Sequence, residues 1–320
     1  MTRNPREVEL KLRLPPGNRA ILEASSVFAA VSAKQLHQVT TYFDTPDDLL
    51  NEAGLTLRVR RTGVTRIQTV KSRTAGRGIA SNRHEWEWRI RRDSPDVDRF
   101  AKTPKLARIG PQIRGRLEPL FVTDIRRTVR LIHLNDRTVI EAAIDEESIE
   151  ADTRCEAVSE LELELKTGDI AAMYRLAAEL QGVAPLWISP ESKFARGMQL
   201  RTGRPESARQ PHATPLQRHV RAANAFEHIL GETLGHLIAN IDPTLHRATE
   251  GVHQMRAALR ATRATLQLFE SHLDGPTVQR FGAQLRHFGQ IFGTRATGAF
   301  SGCRCCRSQQ LNYRPTHCEV

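Results

Sequence analysis

Glu7-Val8-Glu9-Leu10-Lys11-Leu12-Arg13-Leu14 alternates charged and aliphatic residues along its whole length. Successive strand side chains point to opposite faces, so Glu7, Glu9, Lys11 and Arg13 share one face and Val8, Leu10, Leu12 and Leu14 the other. Taken alone, this is the pattern of any half-buried strand with its charges in water. Later segments repeat it: Leu57-Arg58-Val59-Arg60 with arginines, Arg83-His84-Glu85-Trp86-Glu87-Trp88 with acids, and Glu160-Leu161-Glu162-Leu163-Glu164-Leu165-Lys166 with acids again. So many charged faces need a common place. A sheet closed on itself supplies one, with charges lining a tunnel and apolar faces turned to helices outside.

Outward from the first strand, Pro15-Pro16-Gly17 ends it by removing ladder donors and freeing the turn. Further strands are predicted over 36–43, 55–61, 67–72, 83–90, 119–134, 137–145 and 157–166, with a loop at 74–78 and a turn at Asn135-Asp136. Residues 95–117, polar and broken by prolines, read as a helical excursion. Gly168-Asp169 opens a helix in which Ile170, Met173, Leu176, Ala177 and Leu180 recur at three and four. Trp86 and Trp88, opposite in face to Glu85 and Glu87, are expected to pack on outer helices. Residues 204–215 read as a linker. Beyond it the period becomes helical: Val220, Ala223, Phe226, Ile229, Leu230, Leu234 and Leu237 form one stripe, and Val252, Met255, Leu259, Leu266 and Phe269 a second.

The chain has 320 residues, enough for two domains with separate cores. Its 47 Lys+Arg against 36 Asp+Glu leave a formal charge of +11. That surplus favours an anionic partner, and nucleic acid, polyphosphate and anionic membrane all qualify. No apolar run is long enough to span a membrane and no hydrophobic signal core opens the chain, so the expected location is the cytoplasm. Cys155 alone precedes residue 300 and reads as a lone thiol.

Glu7-x-Glu9-x-Lys11, Tyr42-Phe43-Asp44-Thr45, Leu57-Arg58-Val59-Arg60, Thr69-Val70-Lys71, Glu85-x-Glu87, Glu160-Leu-Glu162-Leu-Glu164 and Ser192-Lys193 together resemble the CYTH domain of the triphosphate tunnel metalloenzymes, over roughly residues 4–202. Val252-His253-Gln254-Met255-Arg256-x-x-Leu259-Arg260-x-x-Arg263 resembles a CHAD domain. The resemblance implies an α+β fold: an antiparallel eight-stranded tunnel with outer helices in residues 1–203, then an all-α domain of helical hairpins over 216–294. It also implies metal-dependent hydrolysis of inorganic triphosphate. A non-catalytic receptor for polyphosphate or nucleotides is the alternative, and a class IV adenylate cyclase a third. Nucleic acid and membrane are not the expected partners.

The chemistry follows from the residue types. A condensed phosphate needs cations on its oxygens and a hard metal ion beside them. Lys11, Arg58, Arg60, Lys71, Arg127, Lys193 and Arg196 are the expected phosphate contacts, arginine as a fork and lysine as a compact charge. Mg²⁺ or Mn²⁺ takes carboxylate oxygens, for which Glu7, Glu9, Asp145, Glu162 and Glu164 are the candidates. Either Lys11 or Glu9 orients the attacking water; the residues do not decide which. Where the family pattern has Asp-x-Gly-Glu, this chain has Asp145-Glu146-Glu147-Ser148, which leaves the helping acid open.

In the second half His253, Arg256, Arg260 and Arg263 recur at three and four along one helix side, as a solvated basic face or a groove for polyphosphate. After Phe292-Gly293-Thr294 the family pattern lapses, and four of the five cysteines crowd into 295–320. Their spacing lacks the pairing of a zinc ribbon. The expectation is a poorly ordered tail produced by a single-base shift in the gene.

Overall fold

The computed structural model describes residues 8–15, 17–72, 84–134, 137–189, 191–203, 207–212, 215–245 and 249–295. Glu7, the loop at 74–78, the Asn135-Asp136 turn and the stretch after Arg295 with its four cysteines lie outside the described residues. The chain divides near residue 204 into two compact units.

The first unit is built on one antiparallel sheet: β1 (Val8–Arg13), β2 (Lys34–Asp44), β3 (Leu55–Thr62), β4 (Thr65–Ser72), β5 (Glu85–Ile90), β6 (Glu118–His133), β7 (Val139–Ala151), β8 (Arg154–Thr167) and β9 (Trp187–Ile188). The spatial order is β5-β4-β3-β2-β6-β7-β8-β1-β9. All eight strands read from the sequence are present, and the two-residue β9 adds to the free edge of β1. Short helices α1 (Arg19–Glu23), α2 (Ser26–Ala29), α3 (Leu49–Glu52), α4 (Pro104–Ala107) and α5 (Gly110–Ile113) fill the connections, followed by α6 (Ile170–Val183) and α7 (Lys193–Thr202).

The sheet is rolled, as the reach of its charges indicates. In the spatial order β1 and β4 are six places apart, about 29 Å on a flat sheet at about 4.8 Å per strand. Yet the Lys71 ammonium on β4 acts on the Glu9 carboxyl on β1. Likewise Arg60 on β3 senses Glu162 on β8. Only a curled sheet brings these side chains into one interior. Outside, Leu10 and Leu12 are buried, and α6 buries Ala172, Met173, Leu176, Ala177 and Leu180. The Asp169 side chain caps α6 by accepting from the Ala171 N–H at 2.9 Å, worth about 1 kcal/mol. Trp86 and Trp88 pack as expected on a cluster of Leu57, Val70, Phe100, Leu106 and Ile113.

Helix α7 is not signalled by the sequence pattern. It begins where Ser192 Oγ accepts from the Ala195 N–H at 3.1 Å and ends at Gly203, whose φ of +66° suits glycine. Gly197 lets it approach the sheet, because a Cβ there would run into the Phe121 ring. At that end the inner faces of the strands turn apolar: Tyr42, Phe121, Ile149, Ala151 and Val158 receive Phe194 and Met198 of α7, with Tyr42 stacked on Phe121 at 4.6 Å. One end of the interior is thereby filled.

The second unit contains α8 (Ala222–Ala239), α9 (Ile241–Leu245), α10 (Thr249–Leu268) and α11 (Gly275–Arg295). Helix α10 lies against both α8 and α11 and buries Met255, Ala258, Leu259 and Leu266. Arg209 is tied to α8 by two bonds, its N–H donating to Asn240 Oδ1 and its carbonyl accepting from Asn240 Nδ2, both at 3.0 Å. Phe281 and Phe288 of α11 stay exposed. Cys155, expected as a lone thiol, is disulfide-bonded, which corrects that expectation. Among the described residues no helix is long and apolar enough to cross a membrane.

Candidate active site

Strand register places the acids in rows. Lys11 stands opposite Glu162, Arg13 opposite Glu160, Glu160 opposite Asp145, and Asp145 opposite Arg127. Glu162 is the hub: it accepts from Lys11 Nζ at 2.7 Å and Lys193 Nζ at 2.9 Å, and also from the Arg127 guanidinium. Burial works to raise its pKa, but Arg127, Lys11 and Lys193 outweigh burial and hold it well below the carboxylate range. Burial likewise opposes the charge on Lys11, and the Glu162 and Glu9 carboxylates overcome it and raise the ammonium. Glu9 lies 3.5 Å from Lys11; its own pKa is raised, by burial first. Arg127 forks onto Asp145 at 2.7 and 2.6 Å.

Asp145, Glu147 and Glu160 form a tighter acid cluster, with one carboxylate oxygen of each within 4.8 Å of the others. Lys193 sits among them, 3.1 Å from Asp145 and 3.6 Å from Glu147, with Glu160 also accepting from its ammonium. Glu147 is buried and neither of its oxygens has a hydrogen-bond partner among the described residues. Burial, with Glu160 and Asp145 beside it, pushes its carboxyl up to about 8 despite the opposing charge of Lys193. An orphaned buried carboxylate among all-oxygen donors fits a hard divalent cation.

Across the interior lies a cationic wall. Lys71 pairs with Glu85 at 2.9 Å, and Arg58 stands 3.7 Å from the same acid. Arg60 differs: its Nε is buried without a hydrogen-bond partner, and it forms no ion pair among the described residues. Burial, with Arg58 and Arg127 adjacent, lowers its pKa to about 10. A cation held in this way is stabilised by an incoming anion.

Of the residues singled out in the sequence, Glu9, Lys11, Asp145, Arg127, Glu162 and Lys193 meet in one network, and Arg58, Arg60 and Lys71 line the same interior. Arg196 is buried beside Ser189 at 3.0 Å and Glu191 at 3.6 Å rather than among the other arginines. Glu164 pairs with Lys166 at 2.6 Å, outside the acid cluster. Glu147 and Glu160 were absent from the expected ligand set. Both carried a signal, since Glu147 follows Asp145 by two and Glu160 precedes Glu162 by two, each on the inward face. In the second unit His253 and Arg260 are exposed and Arg256 and Arg263 half-buried, along a side of α10 that adjoins Leu259.

A rolled antiparallel sheet whose interior sets a cationic wall against clustered acids is a tunnel fold. The chain belongs to the CYTH family: a CYTH domain model matches residues 5–198, and a CHAD domain model matches 228–297, so the CHAD domain is partial. An inorganic triphosphatase of Haemophilus influenzae is 27% identical over 192 residues, 60% of this chain and 54% of that protein. The chain thus spans about half the length of that curated relative. Among solved structures, an adenylyl cyclase candidate from Hippeastrum described as having a dominant triphosphatase activity matches with a TM-score of 0.45 and 22% identity, covering 62% of this chain and 96% of that one. The PH1819 protein of Pyrococcus horikoshii OT3 matches at 0.40 and 16%, covering 60% and 98%.

Proposed function

We propose that the tunnel binds inorganic triphosphate with Mg²⁺ or Mn²⁺ and hydrolyses it to diphosphate and phosphate. The observation that carries this is Arg60, a cation in the tunnel wall beside Arg58 and Arg127 that forms no ion pair among the described residues. A condensed phosphate, dense in charge and lined with acceptor oxygens, is the ligand such a wall suits. The curated relative's name points the same way.

Within the tunnel the lysines neutralise the acids: Lys11 lies on Glu9 and Glu162, Lys193 on Asp145, Glu147, Glu160 and Glu162. Triphosphate draws Lys11 and Lys193 onto its oxygens, and the released carboxylates of Glu9, Asp145, Glu147, Glu160 and Glu162 are free to hold the metal. When bound, that ion supplies charge stabilisation at the phosphoryl oxygens. Lys11 or Glu9, 3.5 Å apart, orients the attacking water in this reading. In the helical unit, the exposed His253 and Arg260 with the half-buried Arg256 and Arg263 offer a basic surface for longer polyphosphate.

The test is phosphate release from tripolyphosphate with Mg²⁺ or Mn²⁺, against ATP and against excess chelator. Metal-dependent release from tripolyphosphate, faster than from ATP, is expected. Unchanged release in chelator, binding without turnover, or cyclic AMP formation from ATP alone would each overturn the proposal.

A further inference from the structure

We infer that the hydroxyls of Thr40 on β2 and Thr123 on β6 are uncharged hydrogen-bond donors to the condensed phosphate, a subsite beneath the arginine wall. This rests on the reading of the tunnel as a triphosphate site and adds residues to it that no charge pattern marks. Thr40 is opposite Arg60 in one register and opposite Thr123 in the next. Arg60, Thr40 and Thr123 therefore form one row across three neighbouring strands, all on the inward face that carries Arg58 and Tyr42 in the adjacent row.

Thr40 and Thr123 are buried, with exposures of 1% and 0%, and neither hydroxyl oxygen has a hydrogen-bond partner among the described residues. The Nε atoms of Arg58 and Arg60 are likewise buried and unmet. Four groups able to donate thus lie in two adjacent rows of one inward face, on three neighbouring strands. Buried polar groups are nearly always paired, and those left unpaired cost the empty protein stability. Two such hydroxyls opposite each other on neighbouring strands, in the row of Arg60, offer two donors to an acceptor that arrives from outside. A phosphoryl oxygen is such an acceptor, and an O–H bond to an anion is among the stronger hydrogen bonds. Gln38, one row on, presents an acceptor oxygen and is not counted in the subsite.

The test uses Thr40→Val and Thr123→Val in the full chain, since valine keeps the shape and removes only the hydroxyl. Urea unfolding is measured without ligand and with tripolyphosphate in excess chelator, alongside phosphate release with Mg²⁺. Removing an orphan should leave the empty protein as stable or more stable, while the tripolyphosphate dissociation constant rises at least tenfold for each variant. Thr40→Ser, which restores the hydroxyl, should return affinity to within about threefold of the unaltered protein, well short of a factor of ten. If the valine variants bind tripolyphosphate like the unaltered chain, the inference fails. It fails equally if they lose stability when empty with affinity unchanged, which would mean a buried water satisfies the hydroxyls. Should the unaltered protein bind tripolyphosphate without hydrolysing it, the hydrolase reading fails and the subsite stands; absence of any binding overturns both.

Discussion

Replacing Arg60 by glutamine should make the empty protein more stable while disabling it as a phosphate receptor. The guanidinium is lowered from 12.5 to about 10 by burial and by Arg58 and Arg127. At about 1.36 kcal/mol per pH unit, that corresponds to a cost of about 3 kcal/mol for keeping Arg60 charged in the fold. The sign is clear: a base whose folded pKa is depressed carries this cost at every pH below about 10, so at neutral pH it is present in full. Tunnel water screens part of it, and glutamine forfeits the packing of the arginine stem, so a net gain of about 1–2 kcal/mol is expected. With ligand the order reverses. At a tripolyphosphate concentration of about 100 Kd the unaltered protein gains about 2.7 kcal/mol. Loss of one charge-assisted contact worth about 2.7 kcal/mol raises Kd about a hundredfold, leaving the variant about 0.4 kcal/mol. Urea unfolding in chelator, with and without tripolyphosphate, reads both terms. A variant less stable than the parent when empty, or one that keeps the full ligand-induced gain, would refute the reasoning.

Glu9→Gln should abolish metal-dependent phosphate release with little loss of stability, since among the described residues Glu9 makes one ion pair, with Lys11 at 3.5 Å; full activity would show the opening strand to be structural. Glu162→Gln leaves Lys11, Lys193 and Arg127 short of a shared carboxylate and should cost about 3 kcal/mol in urea unfolding as well as activity. Glu147, raised from 4.5 to about 8, holds in the folded state a proton that the unfolded chain releases, so stability should fall as pH rises between those values, by at most about 5 kcal/mol. Glu147→Gln has no such proton to lose, and a pH series of melts in chelator should show the parent's slope flattened. Gly197→Ala drives a methyl into the Phe121 ring and should cost about 2 kcal/mol while displacing α7 and Lys193. Gly182→Ala, with open space around its Cβ, should be neutral or stabilising by up to about 1 kcal/mol; equal melting shifts for the two would contradict the packing account.

Much of the fold was legible in local pattern. Alternation at period two identified eight strands and the charged face of each, and a change to period 3.6 marked the helical half, because both periodicities are properties of a few consecutive residues. The charged faces of Glu9, Lys11, Arg58, Arg60, Glu160 and Glu162 were therefore decided by the sequence itself. Which charge meets which was not. Lys11 and Glu162 are 151 positions apart, and Arg127 reaches Glu162 from 35 away, so their meeting depends on strand register and on the roll of the sheet. Tertiary structure decided that Glu147 and Glu160, rather than Glu164, share the cluster around Lys193, and that α7 carries Lys193 there through a contact only Gly197 permits. It also decided that Arg60 alone of the wall arginines stands without an acid among the described residues. An alternating strand sets the face on which a charge lies, but its neighbours across the sheet, supplied by distant segments, determine whether that charge is neutralised or left for a ligand.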